Sequence, residues 1–233
     1  MIDVHFFPSP NGLKIPMMLE ECGLPYRLVE VDILRGAQFE PAFLRISPNN
    51  RIPAIVDHEA AGGPLAIFES GAILQYLAEK SGQLLPVDLH GRYEVLQWLY
   101  WQVAGLGPMA GQAHHFRQFA PEQVPYGIQR YTDEANRLYG VLDRRLGDRE
   151  YVADEYSIAD IACFPWIVHH EWQGQSLAAF PSLQRWFEAV RDRPATRRAY
   201  QQGHVRMADA TAYQFLYGQT AHSVAQQQQE HEL

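Results

Sequence analysis

The hydrophobic period of this chain changes once for good, at "LLPVDLHGR" (residues 84–92), and that change limits what the chain can fold into. Before it, "IDVHFF" alternates as a strand does, Gly12 to Cys22 carries helical spacing closed by Gly23 as a C-cap, and "YRLVEVDI" alternates again. "EPAFLRI" reads as a short helix. "IPAIVD" and "LAIF" are apolar strands around a Gly62-Gly63 turn, and "SGAILQYLAEKSG" is a helix with Ser70 near its start. The order β-α-β-α-β-β-α calls for one mixed sheet flanked by helices, an α/β domain over residues 1–82. From residue 90 to 205 no strand alternation remains, only long stretches with apolar and aromatic residues at helical spacing, which calls for an all-helical domain. "YSIAD" specifies one of its helix starts: Ser157 at the N-cap, Asp160 three residues on, and Tyr156 against Ile161 as a hydrophobic staple. Residues 206–233 form a C-terminal extension, with an amphipathic stretch "AYQFLYG" and a low-complexity "AQQQQEHEL" that reads as frayed and partly disordered.

Several function classes drop out. The net charge is −8, acidic and basic residues are mixed, and no Lys/Arg block is present, which argues against nucleic acid but not against a small anionic ligand held by a few fixed donors. No apolar run approaches the roughly 20 residues that span a bilayer. "MIDVHFF" lacks the zones of a signal peptide, so a cytoplasmic protein without a membrane partner is expected. Cys22 and Cys163 lie far apart in apolar helical patterns and build neither a disulfide framework nor a zinc site; they read as buried small hydrophobes. His114-His115 and His169-His170-Glu171 are adjacent pairs that cannot both point from a helix to one metal, so no metal is expected and they read as surface or pocket-lining residues. Trp98, Tyr100, Trp101 and Trp166 read mainly as core aromatics, one of which a second pocket could borrow.

Chemistry gathers at three turns. "SPNG" follows a strand and opens a helix, where free amides and the helix dipole favour negative charge, and where the Ser9 hydroxyl and Asn11 carboxamide are donors suited to a thiolate or carboxylate. The same residues would also serve as an ordinary helix cap. In "NNRIPAI" a cis Ile52-Pro53 bond would leave the Ile52 N–H and C=O facing outward to pair with an extended peptide, while a trans proline at the first residue of a strand is the plainer alternative. In "FESGAI", Glu69 and Ser70 at a helix N-terminus can receive the ammonium and carboxylate of one amino-acid head group, or simply cap the helix.

With these three turns in this order and spacing, the chain resembles the cytosolic glutathione transferases over residues 1–205. The resemblance implies a thioredoxin-like N-terminal domain, with "IPAIVD" supplying a cis-proline and "FESGAILQYLAEK" a γ-glutamyl site, followed by an all-α domain with the "SIAD" capping box. "SPNGLK", "GAQFEPAFLRISPNNRIPAIVDH", "LQWLYWQVAGLGPM" and "IQRY" are similar to the bacterial Nu class, relatives of the yeast prion-type nitrogen regulator, known for glutathione-dependent disulfide reduction. That class usually has Thr where this chain has Ser9, a change that keeps the hydroxyl. Strand 1 offers no Tyr and the turn no Cys, so thiolate stabilisation falls to Ser9 and Asn11. The resemblance further implies Gln38 at the glycyl end of glutathione, Ile52 at its cysteinyl backbone, Glu69 and Ser70 at its γ-glutamyl head, and Arg130 at a ligand carboxylate, with Arg51 a weaker candidate. It implies glutathione as co-substrate, a small disulfide or electrophile as partner, and a homodimer. Conjugation to electrophilic carbon, or modest peroxidase activity, and non-catalytic glutathione binding by a regulatory protein remain the alternative readings.

Overall fold

The structure, a computed structural model, describes residues 1–203, 216, 217 and 219–230. The chain opens with β1 (Ile2–Phe6), α1 (Pro10–Cys22), β2 (Tyr26–Glu30), α2 (Pro41–Leu44), β3 (Ala54–Asp57), β4 (Leu65–Phe68) and α3 (Ser70–Ser81), the element order read from the sequence. The crossover through α1 makes β2 parallel to β1, whereas β3 runs antiparallel to both β1 and β4, and the strand order is β2-β1-β3-β4. β1 is central and covered on both faces, so Ile2, Val4 and Phe6 are buried together with Asp3, whose carboxylate is paired with Arg27 at 2.7 Å.

The remaining helices are α4 (Leu89–Trp101), α5 (Gly107–His114), α6 (Pro125–Arg145), α7 (Ile158–Ile167), α8 (Pro181–Asp192), α9 (Pro194–Gln201) and α10 (Ala221–Glu230). Two π-helical turns, Gln102–Leu106 and His115–Phe119, flank α5, and such turns re-aim side chains within a helix. The bridges Tyr151 to Asp154 and Ala153 to Glu155 are isolated pairings within one turn and belong to no sheet. The "SIAD" start is found as read: the Ser157 hydroxyl accepts from Ala159 N at 3.2 Å while Asp160 Oδ2 accepts from Ser157 N at 3.0 Å. Tyr156 packs on the core as well, with the Arg193 guanidinium 3.6 Å from its ring centroid. "AYQFLYG" lies mostly outside the described residues, with Leu216 and Tyr217 inside them. "AQQQQE", read as frayed, is helical within α10; Ala and Gln are good helix formers, so propensity alone permits it. No helix among the described residues is long and apolar enough to cross a membrane.

α1 joins the two halves. It packs against β1 and α3 on the sheet side and against α7 and α9 on the helical side, within one continuous apolar core. Its N-terminus therefore opens where the sheet meets the helices.

Candidate active site

β1 ends at Phe6, and within three residues the chain must turn and start α1, which forces a close backbone approach. A Cβ on Gly12 would stand 2.1 Å from the Phe7 carbonyl oxygen, so only glycine closes this turn. Ser9 is the N-cap: its Oγ accepts from Gly12 N at 3.2 Å. The capping alternative for Ser9 is thus realised, and because Oγ acts as acceptor in that bond, the hydroxyl hydrogen is left to donate elsewhere. Pro10 has no N–H and Leu13 N bonds to Ser9 O at 2.9 Å, so the Asn11 N–H is the amide of the first turn left without a partner among the described residues.

The Asn11 side chain is oriented from the other half of the protein. Trp166, on α7, donates its indole N–H to Asn11 Oδ1 at 3.1 Å. An indole N–H is a donor only, so the carboxamide oxygen must face it, and the two amide hydrogens point away from Trp166. Gly107 and Gly111 make room for the indole, since a Cβ at either would come within 3.3 Å of it. The indole separates two cavities. One, of about 270 Å³, lies beside Ser9 and is mainly apolar, walled by Phe119, Trp172, His114, His169 and, from the C-terminal extension, Tyr217. The other, of about 310 Å³, is polar and walled by Asn11, Lys14, Glu69, Ser70 and Gln102. His114, His115 and His169 are pocket-lining, while His170 is not: His114 stacks on His169 at 5.8 Å between centroids, and burial together with the neighbouring His169 and His115 pushes its pKa down to about 4. Among the described residues no group of three His, Cys, Asp or Glu could hold a metal ion.

Two family models match the chain: the glutathione S-transferase N-terminal domain over residues 8–80 and the C-terminal domain over residues 108–194. The chain belongs to the glutathione S-transferase family. The sheet half is thus the thioredoxin-like part of that fold and the rest its all-helical part. The chain is 55% identical over 202 residues to the disulfide-bond oxidoreductase YfcG of Escherichia coli (strain K12), covering 85% of this chain and 94% of the relative. A glutathione transferase family member of Pseudomonas fluorescens pf-5, with two glutathione bound, superposes at a TM-score of 0.81 with 47% identity over 85% of this chain and 91% of its own. A glutathione transferase of Pseudomonas putida, with one glutathione disulfide bound per subunit, does so at 0.81 with 45% identity, covering 85% of this chain and 90% of its own.

Within this transferase the site residues read from the sequence divide into two sets. Ser9, Asn11, Glu69 and Ser70 meet at the two cavities. Ile52-Pro53 is a cis peptide, and no hydrogen bond to the Ile52 N–H or C=O is found among the described residues. Its side chain packs against Val31, Phe43 and Ala54. Glu69 enters α3 with φ 70°, a left-handed conformation unusual for glutamate, and its Oε1 accepts from Asn49 Nδ2 at 3.4 Å. Gln38 is 1% exposed, donates to Ile33 O at 3.4 Å and is not in the wall of either cavity. Arg130 is exposed on α6, 6.0 Å from the Tyr131 ring centroid, in the wall of a separate cavity with Met109, Tyr126 and Arg137, so the single chain does not bring it to Asn11.

Two residues carry more than the sequence reading gave them. Trp166 was one of several aromatics with nothing to single it out. Lys14 left a clearer signal, a lone cation in the apolar run "GLKIPMML": it is 1% exposed, with Nζ 2.7 Å from Gln102 Oε1 and 3.2 Å from Ser70 Oγ.

Proposed function

We propose that the protein is a glutathione-dependent disulfide-bond oxidoreductase of the Nu class, in which Ser9 and Asn11 stabilise the thiolate of bound glutathione. The observation that carries this is the bond from Trp166 to Asn11, which commits the carboxamide oxygen and leaves the amide hydrogens, turned away from the indole, as donors. A free thiol has a pKa of about 8.5 and reacts as its thiolate. Donors from Asn11 and Ser9, with the positive end of α1, lower that pKa. The thiolate attacks one sulfur of a disulfide and expels the other as a thiolate, leaving a mixed disulfide with glutathione. A second glutathione thiolate attacks the glutathione sulfur of that mixed disulfide, giving oxidised glutathione and the second product thiol. Both electrons come from the two glutathione thiols, so the enzyme supplies no sulfur. The relatives described as holding two glutathione, or one glutathione disulfide, support a site with room for this sequence.

In this reading the Ile52 N–H and C=O pair with the cysteinyl backbone, Glu69 and Ser70 hold the γ-glutamyl head, and Gln38 supports the glycyl end from within the fold. Arg130 lies away from the site in its own chain, so in this proposal it serves across the interface of a homodimer. The protein would act in the cytosol.

The apolar cavity beside Ser9 favours a second reading, conjugation of an apolar electrophile by the same thiolate. A glutathione-reductase-coupled assay with a small model disulfide, run beside aromatic-halide conjugation, separates the two. Disulfide turnover well above conjugation is expected, and conjugation alone would overturn the assignment. Glutathione binding without either activity would leave a regulatory protein.

Cys22 and Cys163 are expected to be dispensable. Burial pushes both thiols' pKa up, the reverse of what a nucleophile needs. Cys22 also sits at the far end of α1, about 20 Å from Ser9 by helical rise. The double variant Cys22→Ala/Cys163→Ala should keep disulfide turnover within a few fold. Loss of turnover with glutathione binding intact would show that an enzyme thiol takes part.

A further inference from the structure

Lys14 is a cation placed where cations are seldom found. It is 1% exposed, and lysine is almost never fully buried unless it is paired. Its two protein partners, Ser70 Oγ and Gln102 Oε1, are both neutral, and no carboxylate lies within ion-pair distance of it among the described residues. An ammonium has three N–H groups, and the third has no partner among the described residues. The side chain forms part of the wall of the polar cavity with Asn11, Glu69, Ser70 and Gln102.

The bond to Ser70 settles where a ligand charge would fall. Because Ser70 Oγ accepts from Lys14, its own hydrogen is free to donate into the cavity. An oxygen accepting that hydrogen at roughly 2.7 Å stands no more than about 6 Å from Nζ, close enough for opposite charges to favour the ionised lysine.

We propose that Lys14 is a proton-linked binding residue for the γ-glutamyl head of glutathione, taking up a proton as the head's carboxylate settles on Ser70. This inference rests on the glutathione reading above and adds to it a charge that appears on binding. Burial pushes the Lys14 pKa down to about 7, with Glu69 pulling the other way. The other titratable groups around Lys14 come from the elements packed against α1. From α3 there is Glu69. From α7 there are Cys163, whose thiol burial keeps neutral, and Asp160, whose carboxylate is taken up by Val152 N, Ser157 N and Trp186 Nε1. Arg193, just before α9, and Arg198 within it are held by Glu21 and Glu20 toward the opposite end of α1, and on β1 Asp3 is held by Arg27 and His58 while burial lowers the His5 pKa. The added carboxylate raises the lysine's affinity for a proton, so binding near pH 7.5 consumes protons.

The test is calorimetric titration of the full chain with S-methylglutathione, which keeps the γ-glutamyl head but has no thiol to ionise, at pH 7.5 in phosphate and in Tris. The difference in heat between the buffers should report uptake of roughly half to three-quarters of a proton per ligand by the wild type. Lys14→Arg, charged at every pH, should bind without uptake. Lys14→Met should bind about tenfold more weakly or worse, also without uptake. Binding by the wild type without proton uptake overturns the inference and leaves the glutathione reading standing. Uptake that persists in Lys14→Arg or Lys14→Met also overturns it. Failure of the wild type to bind the ligand at all removes both. The wild-type measurement decides by itself if Lys14→Met does not fold.

Discussion

Asn11→Ala is expected to raise the thiol pKa of bound glutathione by about one to two units and to lower disulfide turnover at neutral pH by about tenfold or more. A hydrogen bond to a charged group is worth roughly 1.5–3 kcal/mol, and every 1.36 kcal/mol moves a pKa by one unit. Below the pKa each unit removes about nine-tenths of the thiolate. The loss should exceed that of Ser9→Ala for a structural reason. The Asn11 amide is aimed by Trp166, whereas Ser9 Oγ is already engaged with Gly12 N, and water entering the space of its hydroxyl can restore part of its donation. Trp166→Phe keeps the aromatic wall and removes only the indole donor, freeing the carboxamide to rotate, so it should show part of the Asn11→Ala shift with Asn11 still present. The measurement is an absorbance titration of the thiolate in the glutathione complex of the wild type, Asn11→Ala, Ser9→Ala and the double variant. An unchanged pKa in the double variant would sink the mechanism and move thiolate stabilisation to the Asn11 N–H and the dipole of α1. Affinity should change less than rate, because Ile52, Glu69 and Ser70 are untouched.

What could be read from the sequence follows the range of the forces involved. The β-α-β-α-β-β-α order was legible because alternation, helical spacing and the Gly23 cap are local signals, each within one turn or one strand. The "SIAD" box was legible for the same reason. Residues whose meaning depends on a distant partner were not. Trp166 and Asn11 are 155 residues apart in the chain, and nothing in "FPWI" says that its indole points at the start of α1 rather than into the core. Lys14 meets Gln102 across 88 residues and only through a π-helical turn, which no spacing rule anticipates. The resemblance implies Arg130 at a ligand carboxylate, yet which way its helix faces depends on packing over all its neighbours, and α6 turns Arg130 away from Asn11. Ser9 shows the converse. Its two readings, cap and ligand donor, are compatible because one oxygen can accept and donate at once.

Asp160→Ala should be the most damaging of these changes to stability, at about 3–5 kcal/mol, a large share of the 5–15 kcal/mol that holds a typical protein folded. The carboxylate is fully buried, and its pKa is pushed up to about 6 by burial against the pull of its donors, so at pH 7 it is ionised. Oδ1 accepts from Val152 N at 2.9 Å and Trp186 Nε1 at 2.8 Å; Oδ2 accepts from Ser157 N at 3.0 Å and Ser157 Oγ at 3.2 Å. One side chain therefore caps α7, holds the turn before it and anchors the indole of α8. Alanine would strand three buried N–H groups, each costing roughly 1–3 kcal/mol, with entering water relieving part of that. Asp160→Asn separates charge from geometry: one oxygen can still serve Val152 and Trp186, but its amide group meets the Ser157 N–H, so about half the loss is expected. Urea unfolding reads both, and a loss below about 1.5 kcal/mol for Asp160→Ala would show that the box is not what fixes α7. Because Trp166 lies on the same helix more than a turn away, Asp160→Asn, measured where it is fully folded, should keep the wild-type pKa of bound glutathione. Asn11→Ala should do the reverse, shifting that pKa while leaving the urea midpoint nearly in place. If both variants moved both quantities, stability and thiolate stabilisation would be one property of the α1–α7 contact rather than two, and the role given to Asn11 would reduce to holding the halves together.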